Sequence, residues 1–144
     1  MILLSIHPEF VEKIQDGSKR FEFRKHIPGK LHNGDLVAIY CTRPICKIVG
    51  CFEVGRVLSG SPCEVWAQTF RHAGIDKNKF DAYFTGRLTS YALSIKQTHW
   101  LRTPVSLFSL RQSAFAPQSF LYLNAEQSEK LAMLMGLMPR GVSV

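Results

Sequence analysis

Residues 17–25 read Gly-Ser-Lys-Arg-Phe-Glu-Phe-Arg-Lys, five charges set around two phenylalanines. From residue 20 to 25 the stretch alternates as an extended strand does. Phe21 and Phe23 share one face, and Arg20, Glu22 and Arg24 share the other. Two outcomes fit such a strand: a solvated sheet edge, or a charged face turned into a polar pocket at one end of a small barrel. Glu22 and Arg24 stand two residues apart on one face and can hold each other's geometry. Lys19 has the opposite parity and joins them only because it precedes the regular strand. A carboxylate buried beside two phenylalanines is costly unless a cation meets it. The pocket reading therefore predicts a buried Glu22 bonded to Arg24, to Lys19, or to both.

Working outward, Ile2-Leu3-Leu4-Ser5-Ile6 reads as a short buried strand. Pro8 suits the first turn of a helix over 8–16, and Glu9 complements the positive end of its dipole. Phe10, Val11 and Ile14 recur at helical spacing, and Gly17 stands where a left-handed cap belongs. Beyond the opening stretch, Pro28-Gly29 and Asn33-Gly34-Asp35 mark a loop. Residues 36–42 alternate, with Val37, Ile39 and Cys41 on one face and Ala38, Tyr40 and Thr42 on the other, non-core face. Pro44 ends that strand. Residues 47–58 form a long strand whose Gly50 and Gly55 call for a bulge or a sharp bend, as at a barrel corner.

Ser61-Pro62-Cys63-Glu64 carries a capping box and opens a helix over 61–73, with Val65, Trp66, Thr69 and Phe70 as its apolar face. Asp76 caps a second short helix that buries Phe80, Tyr83 and Phe84 and closes at Gly86. Tyr91, Leu93 and Ile95 alternate in a strand running toward Trp100. Residues 105–110 and 120–123 read as two further extended segments. A terminal helix follows over 125–137, using Leu131, Leu134 and Met135, and 139–144 reads as a loose tail. Strands and short helices mixed this irregularly, with no repeat or linker, predict one α+β domain over 1–144 with a small, strongly bent sheet.

The chain has 144 residues, 46% of them hydrophobic and 20% charged, which suits a folded domain with its own core. Its apolar runs are too short to span a bilayer, so no membrane partner is expected. Met1-Ile2-Leu3-Leu4 passes straight into polar sequence with neither a basic n-region nor a full h-region, so no signal peptide and a cytoplasmic setting are expected. Cys41, Cys46, Cys51 and Cys63 form no C-x-x-C pair and read as reduced thiols. The histidines are scattered, and neither a metal nor another cofactor is expected. The net charge of +7 favours polyanionic partners. One third of the basic residues (Lys13, Lys19, Arg20, Arg24, Lys25 and Lys30) fall in and beside the opening stretch.

At this point the chain resembles the ASCH family, whose domains have a PUA-like barrel. The family's signature G-x-K-x-x-E-x-R after the first helix is met by Gly17, Lys19, Glu22 and Arg24. LLSIHPEFVEKIQDG resembles the family's first strand and helix, GDLVAIYCTRP its next strand and VGCFEVGRV the strand after. YFTGRLTSYALSI resembles a later helix and strand, and PQSFLYL, at 117–123, the closing strand. The resemblance spans about residues 2–123. It implies a small bent β-barrel of five to six strands with flanking short helices, and a pocket lined by Lys19, Glu22 and Arg24. Related PUA-like domains bind RNA or modified bases. Some ASCH proteins are described as deacetylating N4-acetylcytidine, others as ribonucleases, and many as regulators.

Four readings fit these residues. In the first, the chain binds a nucleic acid, RNA before DNA, or a modified nucleoside. Lys19, Arg20, Arg24 and Lys25 then meet phosphates, Tyr40 stacks on a base, and Thr42, Gln118 and Ser119 offer hydroxyl and amide groups to its edge. In the second it is an amidohydrolase for N4-acetylcytidine-type nucleosides. Lys19, its pKa lowered by Arg20 and Arg24, would be base or nucleophile, and Glu22 would shuttle the proton. Against this, the deacetylating subgroup carries a hydroxyl residue where Glu22 stands, and its second acid falls in a region matched here by 67–71, which has no carboxylate. The third reading is a metal-independent ribonuclease in which Glu22 is the base and Lys19 or Arg24 steadies the phosphorane. The fourth is an interaction domain that catalyses nothing. The fold does not choose among them, and no oligomeric state is implied.

Overall fold

The computed structural model describes residues 1–111 and 119–137. Strand β1 (Ile2–Ile6) leads into helix α1 (Pro8–Asp16), which starts on Pro8 and ends at Gly17 in the left-handed conformation, φ +85°. Strands β2 (Phe21–Arg24), β3 (Leu36–Cys41) and β4 (Lys47–Gly60) follow. Helix α2 (Pro62–Thr69) opens on the Ser61–Glu64 capping box and runs into a 3-10 turn over Phe70–His72. Helix α3 (Lys77–Tyr83) is capped by the Asp76 carboxylate, which accepts from the Lys79 N–H. Strand β5 (Ser90–Val105), helix α4 (Leu107–Arg111), strand β6 (Phe120–Tyr122) and helix α5 (Ala125–Leu134) complete the order.

The strands make one mixed sheet in the order β2-β5-β4-β3-β1-β6, with β1 and β3 parallel and the other pairs antiparallel. Along the long β4–β5 ladder the register shifts between Ile48 and Gly50, Glu53 and Val54, and Val54 and Val57. Each shift leaves one or more residues unmatched and adds twist, so the sheet curls into a half-barrel with β2 and β6 as its free margins. Gly50 permits the close approach of the two strands: a Cβ there would stand 2.5 Å from the His99 carbonyl oxygen and 2.7 Å from the Trp100 ring.

Alternation sorts the core by face. Ile2, Leu4 and Ile6, Val37, Ile39 and Cys41, and Phe52, Val54 and Leu93 pack on one face with Val11 and Ile14 of α1. Leu3, Ala38, Tyr40 and Ile48 pack on the other face beneath Leu107 and Leu110 of α4 and Leu131 of α5. Phe23 and Ala92 form a third cluster with Val65, Ala73, Phe80 and Phe84. Strand β3 is thus buried on both sides, which corrects the reading of its Tyr40 face as non-core.

Other expectations shift as well. Residues 105–110 are not an extended segment: β5 continues to Val105, and Leu107 and Leu110 lie on one face of α4. A run that short satisfies both periods, and packing decides. Phe70, expected beneath α2, is 51% exposed, because it opens the 3-10 turn, whose tighter winding carries it off the α2 stripe. The last helix ends at Leu134, itself exposed, while Leu131 is its buried anchor. The expected tail at 139–144 lies outside the described residues. All four cysteines are free, and burial pushes the Cys51 thiol up to about 12. No helix among the described residues is long and apolar enough to cross a membrane.

Gly50→Ala should force β4 from β5 and lower stability by about 1–3 kcal/mol, read as a shifted urea midpoint. Gly29→Ala is the control: its Cβ would meet nothing within 4 Å, and its midpoint should stay close to wild type.

Candidate functional site

Strand β2 carries the opening stretch into the interior rather than along a solvated edge. Lys19, Glu22 and Arg24 retain only 2%, 5% and 8% of their exposure. Glu22 is paired with Leu93 and Arg24 with Tyr91 across β2–β5, so both point to the face that holds the first cluster. Phe23, paired with Ala92, points into the third.

Arg24 does not bond Glu22. Its Nη1 donates to the Ser5 carbonyl oxygen at 3.3 Å, and its Nη2 donates to the Ser119 carbonyl oxygen at 2.8 Å and to Ser119 Oγ at 3.2 Å. The β1–β6 ladder stops at Leu4–Phe120, so these carbonyls lie just past its last pair. The curl brings the β2 margin against this end of the β1–β6 margin, and Arg24 bridges the two. The expected Glu22–Arg24 pair fails for a geometric reason. Residues two apart on a strand stand side by side about 6.5 Å apart, and the carbonyls across the gap lie directly ahead of the guanidinium.

Lys19 is held as tightly. Its Nζ donates to the Ala73 carbonyl oxygen at 2.8 Å and lies 5.1 Å from the Phe10 ring centre and 4.8 Å from that of Phe23. The Arg20 N–H donates to the His72 carbonyl at 2.8 Å, so the two residues together close the carbonyl end of the 3-10 turn. Burial pushes the Lys19 pKa down, Glu22 opposes that shift, and Lys13 adds to it. Arg20 and Arg24, expected to lower it, are not among the causes. Gly74, at φ +64°, backs directly onto the Lys19 stem, and a Cβ there would overlap it.

Glu22 is the exception. Among the described residues its carboxylate makes no hydrogen bond and no ion pair. Its charge reaches Lys19 and also the Tyr83 hydroxyl, whose pKa is raised first by burial; Arg24 and Arg87 oppose that rise. Lys25 Nζ sits 4.8 Å over the Tyr83 ring. Tyr83 entered the sequence reading only as a core position, and Arg87 did not enter it. The one local signal was Gly86, whose φ of +76° turns the chain back after α3.

The remaining expected residues fall apart. Arg20 is exposed. Tyr40 is buried on the opposite sheet face from Glu22 and Arg24, where burial and then a bond to Cys46 raise its hydroxyl pKa. It does not offer a ring for stacking. The Thr42 hydroxyl and His7 Nδ1 share a 3.2 Å hydrogen bond just past the end of β1. Ser119 is engaged by Arg24, and Gln118 lies outside the described residues. A separate cleft of about 710 Å³, bordered by Pro28, Leu31 and Tyr122, includes none of the signature residues.

Arg24→Ala should strip the donors from two carbonyls at the sheet margin and cost about 2–4 kcal/mol. Arg24→Lys should recover little of this, because one ammonium cannot span both; hydrogen exchange across 120–122 and urea unfolding measure the loss. A second expectation concerns pH. The folded-state Lys19 pKa lies below its unfolded value of about 10.4, so between the two the unfolded chain binds more protons. Wild-type stability should therefore rise relative to Lys19→Met as pH climbs through that window, measured by urea unfolding of both proteins. A gap constant with pH would show that Lys19 is not desolvated.

Known proteins align with this architecture along most of the chain. Over 135 residues it is 28% identical to a protein of Zymomonas mobilis named as an ASCH domain-containing ribonuclease, covering 92% of this chain and 90% of that one. The crystal structure of ASCH from Zymomonas mobilis superposes with a TM-score of 0.85 at 28% identity, covering 92% of this chain and 94% of the other. The large ribosomal subunit protein uL22 of Ureaplasma parvum is 28% identical over 123 residues, which are 85% of this chain but only 39% of that protein. Residues 4–105 match the family profile described as the ASCH domain. With that match and a six-stranded half-barrel of PUA-like form, the chain belongs to the ASCH domain family.

Proposed function

We propose that this protein binds RNA, with the β2 stretch as the centre of its site. The observation that carries the reading is Glu22: a carboxylate 5% exposed, without a partner among the described residues, set close to Lys19 and Tyr83. Its oxygens are not among the side-chain atoms closed off from solvent, so a carboxylate held in a largely buried setting stays within reach of a hydroxyl or amine on a ligand. Arg20, exposed, and Lys25, half-buried at the end of the stretch, supply cations for the backbone. The names of two relatives, a ribonuclease and a ribosomal protein, support an RNA-related role. A cytoplasmic setting is in keeping with four free thiols.

A ribonuclease is the second reading, favoured by the Zymomonas relative because the likeness covers 90% of that protein. Glu22 then takes a proton from the attacking hydroxyl. The nucleoside amidohydrolase gains less support: Lys19 is 2% exposed, and its ammonium is bound to the Ala73 carbonyl and flanked by two rings, a poor position from which to attack a substrate carbonyl.

Fluorescence anisotropy with a labelled single-stranded RNA tests the binding. Wild type should bind with a log–log salt slope that falls by about 0.7 in Arg20→Glu. Glu22→Gln should bind roughly tenfold more weakly with an unchanged melting temperature. Absence of RNA binding, or a Glu22→Gln protein that binds as wild type, would overturn the reading. Gel analysis of the same RNA after incubation separates cleavage, lost in Glu22→Gln, from binding alone.

A further inference from the structure

Two buried guanidinium donors beside β2 lack an acceptor. Among the described residues, the Nε atoms of Arg24 and Arg87 are out of contact with solvent and have no hydrogen-bond partner. Each side chain is otherwise fixed. Arg24 uses both Nη groups across the sheet margin, and Arg87 Nη2 donates to the Lys25 carbonyl oxygen at 3.3 Å, on the residue next to Arg24. The turn at Gly86, with the Arg87 N–H donating to the Phe84 carbonyl at 2.9 Å, aims Arg87 back at β2. A guanidinium anchored through Nη presents its Nε–H in a set direction, and a buried donor without an acceptor is uncommon in a native fold. Glu22, 5% exposed and without a partner among the described residues, is the complementary acceptor, and its oxygens are not closed off from solvent as the two Nε atoms are.

We propose that Arg87 and Tyr83 complete the site with Glu22, Arg24 and Lys25, and that the site takes one ribonucleotide unit of RNA. The 3′-phosphate lies on the two Nε–H groups, and the neighbouring 2′-hydroxyl donates to Glu22. This rests on the RNA-binding reading above and names the unit that is recognised. The phosphodiester of RNA only accepts hydrogen bonds and an ionised carboxylate only accepts them, so neither satisfies both vacancies alone. A ribose 2′-hydroxyl beside its 3′-phosphate offers a donor and acceptors on adjacent carbons. Deoxyribose lacks the donor, and the Glu22 charge repels an isolated phosphate. Three cations around one carboxylate leave the site net positive, and Tyr83, with Lys25 across its ring, places a further O–H donor at its wall.

The test uses the intact protein with uridine 3′-monophosphate, its 2′-deoxy analogue, inorganic phosphate and a single-stranded RNA. The readouts are the nitrogen-15 signals of the Arg24 and Arg87 Nε–H groups and the dissociation constants. The ribonucleotide and the RNA should move both signals. The deoxy analogue and inorganic phosphate should bind at least about tenfold more weakly. Arg87→Lys keeps the charge but loses the Nε–H, and should weaken ribonucleotide binding by about tenfold at an unchanged melting temperature. Tyr83→Phe, which keeps the ring, should weaken it by a smaller factor. RNA bound with both signals unmoved, an equal affinity for the deoxy analogue, or wild-type binding by Arg87→Lys would each overturn this inference and leave RNA binding standing. A protein that binds neither RNA nor the ribonucleotide overturns both.

Discussion

The guanidinium of Arg24 reaches from the β2 margin of the sheet to the Ser5 and Ser119 carbonyls at the β1–β6 margin. A sheet of six strands that curls without closing leaves two rows of unmet backbone groups, a liability that proteins cover, charge or cap. Here one buried cation serves part of both rows, and charge-assisted bonds to carbonyls are roughly twice as strong as neutral ones. Because that cation is committed to the backbone, it is withdrawn from Glu22. The polarity at the end of the half-barrel thus follows from how the barrel is held together.

Lys19 obeys the same rule. It binds the carbonyl end of the 3-10 turn while Phe10 and Phe23 flank its ammonium, tying the exit of α1 to the end of α2. Of the three signature side chains, both cations are consumed in joining elements distant in sequence, and the anion is left over. Gly74 is part of this tie, since any side chain there would evict the lysine stem. The residue that recognises is made available by the residues that hold.

Much of the architecture was legible because local chemistry and tertiary packing agreed. Pro8 and Gly17 bound α1, Ser61 and Glu64 start α2, Asp76 caps α3, and the glycines of β4 mark a ladder that changes register. The burial of Glu22 was legible too, from a charged face on a strand that also carries two phenylalanines. Its partner was not. Sequence spacing names neighbours on a strand, whereas the acceptors that won Arg24 lie 19 and 95 residues away. Tyr40 misled for a related reason. Alternation shows that a strand has two faces but not that α4 and α5 will cover the second, least so when α4 itself reads as extended. Arg87 stood in a turn with no periodicity to single it out, and only the folded chain carries it back to β2.

The span of the Arg24–Ser119 contact has a consequence for biosynthesis. As the chain leaves the ribosome, β1 to β5 and the helices between them emerge before β6, so the sheet can assemble while its last margin is missing. Throughout that interval Arg24 has no Ser119 carbonyl to bind, and an unpaired guanidinium resists burial among apolar side chains. The charge that locks the finished molecule thus has no Ser119 carbonyl to lock onto until the last margin of the sheet has been made.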